Sequence, residues 1–328
     1  MAKKSIQLTN LAKADKTGFM RHINSMIPDA LRQTILNVHG ETGEHWLKHF
    51  PNLLKSLVKQ WNFKIEKRCA NLSFNFTALV ILEDGNKAIL KCSVPDEEFK
   101  AEIGALLYYA GEGAVKLIAA DAEKGWLLEE RCVPGENLLS LSLKDDKKAT
   151  AVALNVMQKL WRPFNSQIKF PTLTEWLRGL NKLQKFSSAN FGVVPKKLID
   201  FSLVTSKELL VSSGEQVLLH GDLHHSNILS STRNHWLAID PKGVIGEREY
   251  EICAFMRNPG PHLLTTMNTK QIILRRLDQI VEQTGFERER ILLWSIVQAV
   301  LVTWWCIEDK VPGKDYLLNY AQILYEYI

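Results

Sequence analysis

The first sixty residues read as mostly helical, with apolar positions recurring at helical spacing in DALRQTILNVHGETGEHWLKHFPNLLKSLVKQW. Strand-like alternation follows in WNFKIEKRC and NFTALVILEDGNKAILKCSV, where Glu83–Asn86 (EDGN) is a hairpin turn signal. In the second strand of that hairpin Leu90, Cys92 and Val94 share one face, and Ile89, Lys91 and Ser93 share the other. A lysine at the centre of a strand is unusual. PDEEFKAEIGALLYYAGEG then reads as a helix capped by Asp96, with acids in its first turn and a stop at Gly111. Its stripe is Phe99, Ile103, Leu106 and Leu107, with Glu102 beside it at the core edge. GWLLEERC is a further strand, and VPGE breaks the chain, which places a boundary near Pro134 and divides the sequence into 1–133 and 134–328. Beyond it, helices are expected over 144–161, 173–185 and 195–213, and several more after Pro261. The interruption is loop, strand NILS, turn STRN, strand HWLAID, loop. A small mixed sheet with a helix, followed by a larger, mainly helical half, predicts an α+β protein of two lobes around a cleft.

Composition narrows the partners. A chain of 328 residues is long enough for two real cores. The net charge of +5 is scattered, and its densest clusters, Lys3–Lys4 and Lys144–Lys148, read as solvated faces, so no nucleic-acid partner is expected. The five cysteines form no CxxC pair and mostly sit in apolar runs, which fits free thiols in a reducing, cytoplasmic setting. The basic first residues are followed by no apolar core, so no secretory leader is expected. Ile291–Ile307 has about the minimum length for a membrane span but carries Ser295, Gln298 and Thr303. It reads as a buried core helix, with no membrane partner. The oligomeric state is not readable.

The chemistry concentrates in LLHGDLHHSNILSSTRNHWLAIDPKG, Leu218–Gly243. Such a density of ionisable and metal-binding groups is costly to bury without partners. Asp222 precedes Asn227 by five residues, and the hairpin that follows Asn227 returns Asp240 to the same end. Two oxygen-bearing side chains there can hold a hard cation such as Mg²⁺, whose other ligands come from water and phosphate. Asp222, on the preceding loop, can accept a proton from an incoming hydroxyl. This is the layout of kinase catalytic loops, H-x-D-x-x-x-x-N followed by a metal-binding Asp. Upstream, Lys91 can reach the α/β-phosphates of ATP, and Glu102 can pair with it. A glycine-rich phosphate loop is missing. In its place stands NLSFNFTALV, where Ser73 and Asn75 offer donors.

The chain resembles the aminoglycoside phosphotransferase-like kinases, in particular the streptomycin 6-kinase and hydroxyurea kinase branch. The resemblance is carried by HGDLHHSNIL, LAIDPKGVIGEREYE, FMRNP, GAVKLIAAD, LLEERCVPGENL and WWCIED. It implies a two-lobed, protein-kinase-like fold, ATP and Mg²⁺ as cofactors, and transfer of the γ-phosphoryl group to a hydroxyl of a small molecule. By position it implies Asp222 as base, Asn227 and Asp240 as Mg²⁺ ligands, Lys91 and Glu102 as the phosphate-anchoring pair, and a hinge near Glu130 to Cys132 whose backbone meets adenine. Three departures stand out: the loop at Ser73 lacks glycine, which bears on nucleotide affinity; Glu251 stands where many relatives carry Asp, which bears on support of the catalytic loop and not on chemistry; and the N-terminal extension is not diagnostic.

His220 is read as a brace for the loop, and His224 and His225 as packed or solvated. Lys242 divides evenly between phosphate neutralisation and the surface. Aminoglycosides are cations, and a net charge of +5 does not steer them. Local acids are therefore needed, and Glu308, Asp309, Glu247 and Glu251 are candidates. Three rival classes fit the sequence less well. A metal-dependent phosphoesterase lacks its further DxH and Asn-His elements here, and a protein kinase would need D-F-G and A-P-E. A non-catalytic nucleotide-binding relative would not need every catalytic side chain that this chain carries.

Overall fold

The structure is a computed structural model that describes residues 26–328 except 71, 73, 165–166, 191–192 and 267. Ser73, Lys3–Lys4 and the segment read for a leader lie outside the described residues. The chain divides into two compact units. One takes the described residues up to Ile103 together with Val115–Arg131, and the other takes Gly104–Ala114 and Cys132–Ile328.

The first unit opens with α1 (Asp29–Trp61), two helical stretches joined at Gly40, whose φ of 53° suits glycine. A five-stranded sheet follows: β1 (Lys64–Arg68), β2 (Phe76–Ile81), β3 (Lys87–Cys92), β4 (Leu117–Asp121) and β5 (Trp126–Glu130), in the order β1-β2-β3-β5-β4. Every ladder is antiparallel, where a mixed sheet was expected. The reason is topological. The helical crossover α2 (Glu97–Tyr109) returns the chain to β4 running in the direction of β3, but β5 pairs between the two. The β2–β3 turn forms where EDGN predicts it: Gly85 has φ 85° and Asp84 Oδ1 accepts from the Asn86 N–H at 2.9 Å. Alternate residues Phe76, Ala78 and Val80, Ala88, Leu90 and Cys92, and Trp126 and Leu128 join Leu31, Ile35, Phe50, Leu54 and Leu57 of α1 in one core. Each buried Leu or Phe there contributes about 1.5–3 kcal/mol. Lys91 lies on the other face of β3.

Helix α2 begins as its sequence requires. Asp96 Oδ1 accepts from the Phe99 N–H at 2.8 Å, and Glu97 and Glu98 face the helix dipole. It ends where Ala110 and Gly111 turn left-handed, at φ 51° and 84°.

The second unit carries β6 (Pro134–Asn137), α3 (Leu139–Ser142), α4 (Asp146–Leu160), α5 (Leu173–Trp176), α6 (Arg178–Ala189) and α7 (Lys196–Val211). The helix expected over 173–185 is divided at Leu177, where the bonding tightens: the Leu177 N–H reaches Glu175 O as well as Leu173 O. Strands β7 (Gln216–Leu219), β8 (Ile228–Ser231), β9 (His235–Ala238) and β10 (Val244–Glu247) come next. After them come α8 (Arg248–Met256), α9 (His262–Thr265), α10 (Thr269–Thr284), α11 (Arg288–Glu308) and α12 (Lys314–Tyr325). β7 pairs with β10 and β6-β8-β9 form a second ladder, so the loops 220–227 and 239–243 leave neighbouring strand ends. Helix α11, which contains Ile291–Ile307, packs among α6, α7, α8 and α12, with Trp294 wholly buried and Ser295, Gln298 and Thr303 nearly so. Its apolar surface is covered by protein, as a core helix requires.

Candidate active site

In the first unit, Lys91 and Glu102 form a buried ion pair, with side-chain exposures of 5% and 9%. The strand centre fixes the lysine stem and the Asp96-capped helix fixes the carboxylate, so the ammonium is presented from a rigid base. At the end of β5, Glu130 is tied to Lys116: its N–H donates to Lys116 O at 2.8 Å, and its Oε2 accepts from the Lys116 N–H at 3.1 Å. Cys132, buried, is the second residue after it and falls in the second unit. Asn75 sits in the bend before β2.

In the second unit, His220 ties two loops together. Its Nε2–H donates to Ile239 O at 2.8 Å, its Nδ1 accepts from the Asp222 N–H at 3.3 Å, and its carbonyl accepts from the Lys242 N–H at 2.7 Å. Burial pulls its pKa down to about 4, so the ring is neutral and acts as a brace rather than a base. Beneath it Glu251 accepts from the N–H groups of His220 (2.6 Å) and Gly221 (3.0 Å). Burial raises that carboxyl to about 7, against the pull of the two bonds. Gly221 has φ 84°, and a Cβ there would meet Trp176 at 2.7 Å, so only glycine fits.

Asp222 projects from this braced turn. Arg257 Nη2 donates to its Oδ1 at 2.8 Å, and His224 Nε2 stands 3.6 Å from its Oδ2. Burial favours the protonated acid, but His224, Arg257 and Lys242 outweigh it and hold the pKa below the ordinary carboxylate value. Asp222 is therefore ionised at neutral pH.

Asn227 closes the short 3₁₀ turn His225–Asn227, one residue ahead of the strand it was expected to open. Its Nδ2 donates to Asp222 O at 3.0 Å, which fixes the amide and makes Oδ1 the end suited to a cation. Its carbonyl accepts from the Ile239 N–H at 3.0 Å, so the hairpin brings Asn227 and Asp240 to one end. Asp240 has φ 58°, a strained setting for a non-glycine residue that costs about 1–3 kcal/mol and is characteristic of functional positions. Among the described residues no group of three or more His, Cys, Asp or Glu side chains could hold a metal. An amide and one carboxylate instead suit a hard ion that keeps waters and takes phosphate oxygens.

Two candidate substrate acids stand elsewhere, Glu251 in the loop-supporting place that its departure from the family pattern implies. Glu247 is 1% exposed and is held by Arg290, Trp294 and the Gly214 N–H, and Glu251 lies behind the catalytic loop. Both are structural. Glu308 pairs with Lys182 at 2.9 Å and is well exposed, while Asp309 is half-buried with its charge acting on Cys306. His225 stacks on Phe255, with ring centroids 4.3 Å apart, and is packed as expected. Arg257, which bonds to Asp222, lies in FMRNP, a stretch that carries the family resemblance but names no role for it, and Gln298, which bonds to Arg257, carries no recognisable signal in the sequence.

Residues 70–310 match the family of aminoglycoside/hydroxyurea antibiotic resistance kinases. The chain is 26% identical to a streptomycin 6-kinase of Streptomyces glaucescens, over 88% of this chain and 93% of the relative. It is 32% identical to a streptomycin 3''-kinase of Klebsiella pneumoniae, over 68% and 80% respectively. The fold matches that of an aminoglycoside phosphotransferase crystallised with ADP and hygromycin B, with a TM-score of 0.61 at 10% identity, over 83% of this chain and 97% of the other.

Proposed function

Because the chain belongs to the aminoglycoside/hydroxyurea antibiotic resistance kinase family, we propose that it is a small-molecule kinase whose phosphoryl donor is ATP and whose acceptor is a hydroxyl. The acceptor class we favour is a streptomycin-like aminoglycoside, with hydroxyurea as the second candidate. The observation that carries the reading is the braced loop pair, which puts Asn227 and Asp240 at one end of a hairpin, with the Asn227 amide bonded to the backbone of Asp222, a carboxylate that Arg257, His224 and Lys242 hold ionised.

In this reading Asp222 accepts the proton as the acceptor oxygen bonds to the γ-phosphorus and the bond from that phosphorus to the β,γ-bridging oxygen breaks. The products are ADP and a phosphate ester. Asn227 and Asp240 are the residues that would hold Mg²⁺, which when bound neutralises phosphate charge. Lys91, oriented by Glu102, holds the α/β-phosphates, and the backbone from Glu130 to Cys132 meets adenine. Lys242 adds positive charge near Asp222. Asp309 is the acid we assign to a cationic acceptor. That no disulfide joins the five cysteines among the described residues supports a reducing compartment.

The test is a coupled ADP-release assay against streptomycin, other aminoglycosides, hydroxyurea and common sugars and amino alcohols, with product mass read for one added phosphate. Phosphorylation of a streptomycin-class acceptor is expected. Nucleotide binding without transfer to any acceptor would refute the kinase reading.

A further inference from the structure

We propose that Arg257 positions the catalytic carboxylate: it grips Asp222 Oδ1 so that Oδ2 is the oxygen presented to the acceptor hydroxyl. This rests on the reading of Asp222 as the base. A carboxylate turns about one bond, so pinning one oxygen places the other. The grip has two points. Nη2 donates to Asp222 Oδ1 at 2.8 Å, and Nε donates to Gln298 Oε1 of α11 at 3.2 Å, so the guanidinium plane is set by a separate helix. The arginine side chain is only 13% exposed.

Its backbone is equally constrained. The Arg257 N–H bonds to Cys253 O at 3.2 Å as α8 ends, and Asn258 Nδ2 donates to Ala254 O at 2.9 Å. Arg276 Nη1 donates to Asn258 O at 2.5 Å, and that arginine is itself buried and paired with Asp146 at 2.6 Å. Helix α8 thus controls Asp222 twice, through Glu251 on the backbone of the turn and through Arg257 on the side chain. A guanidinium stays protonated and cannot take the hydroxyl proton itself. Its effect runs through Asp222.

The test uses the full chain, ATP and the acceptor that wild type phosphorylates. Arg257→Met should lower kcat by about 10²-fold, the size of an ångström-scale misplacement, while KM for ATP and acceptor changes by less than about threefold. Added guanidinium chloride should restore part of the loss. Arg257→Lys should recover less than the free guanidinium, because one ammonium cannot reach both Asp222 and Gln298. In an Asp222→Asn background, Arg257→Met should cost nothing more.

Wild-type kcat in Arg257→Met, a raised acceptor KM at constant kcat, or additive losses in the double variant would each overturn the inference. If Arg257→Met does not fold, Gln298→Met, which releases only Nε, carries the test: it should lower kcat at constant KM, and wild-type kcat there would overturn it. Failure of the kinase reading is seen separately, as a wild type that turns over no acceptor. In that event a crystal structure of Arg257→Met decides the positioning question, since an Asp222 carboxylate that keeps its setting without the guanidinium would overturn it without any assay.

Discussion

Glu251→Gln is the perturbation that most directly probes how the catalytic turn is held. The wild-type carboxyl is fully enclosed, accepts two backbone N–H groups, and has its pKa raised by burial to about 7. An acid whose native pKa exceeds its unfolded value binds more protons when folded, so its contribution to stability falls as pH rises. Taking an unfolded value of ~4.3, the loss amounts to about 4 kcal/mol in all, most of it between pH 5 and 7. Glutamine cannot titrate. It keeps one acceptor for one N–H and turns its NH₂ on the other, which leaves a buried donor unsatisfied at a cost of about 1–3 kcal/mol. The variant should therefore be less stable than wild type at pH 5, and the gap should narrow by about 2–3 kcal/mol by pH 8, as wild type loses what the variant never had. Urea unfolding of both proteins at pH 5, 6, 7 and 8 measures the gap directly, and other titrating groups cancel in the difference. A gap that stays constant across this range would refute the account of Glu251 as a buried carboxyl titrating near neutrality. Activity should fall in the variant at every pH, because the unsatisfied N–H loosens the turn that carries Asp222.

Three further outcomes are expected. Asp222→Asn should lose about 10²–10⁴ of kcat with ATP affinity retained; an unchanged rate removes Asp222 from the chemistry. Asp240→Ala should abolish Mg²⁺-dependent nucleotide binding in a titration with and without the metal, and wild-type affinity would remove it from the metal site. Lys91→Met leaves Glu102 buried without its cation and should cost about 3–5 kcal/mol in urea unfolding. Adding Glu102→Gln should recover part of that stability without restoring activity, and a double variant no more stable than the single one would contradict the ion-pair account.

What the sequence displayed and what it hid follow from the range of the interactions. Asp222, Asn227 and Asp240 are assembled locally, by a five-residue loop and one hairpin, so their spacing announces the cluster before any tertiary structure is known. Lys91 was visible because a strand centre is an unfavourable place for a lone ammonium, and Glu102 because it borders an apolar stripe one helix later. Arg257 and Gln298 lie 35 and 41 residues from the groups they hold, and helix packing alone makes them neighbours. No periodicity encodes that meeting. Glu251 carries two readings in the sequence, a substrate acid and a support for the loop before Asp222, and its bonds to the His220 and Gly221 N–H groups fit the second. Acids at a helix start are ordinarily solvated, but this one stands in YEICAFM, where every residue from Tyr250 to Met256 is buried. An acid in an otherwise apolar run reads as a carboxylate enclosed on all sides, and such a group is retained only where something needs its oxygens. Here what needs them is the pair of N–H groups of His220 and Gly221, so of the two readings of Glu251 the support of the loop before Asp222 is the one its bonds fit.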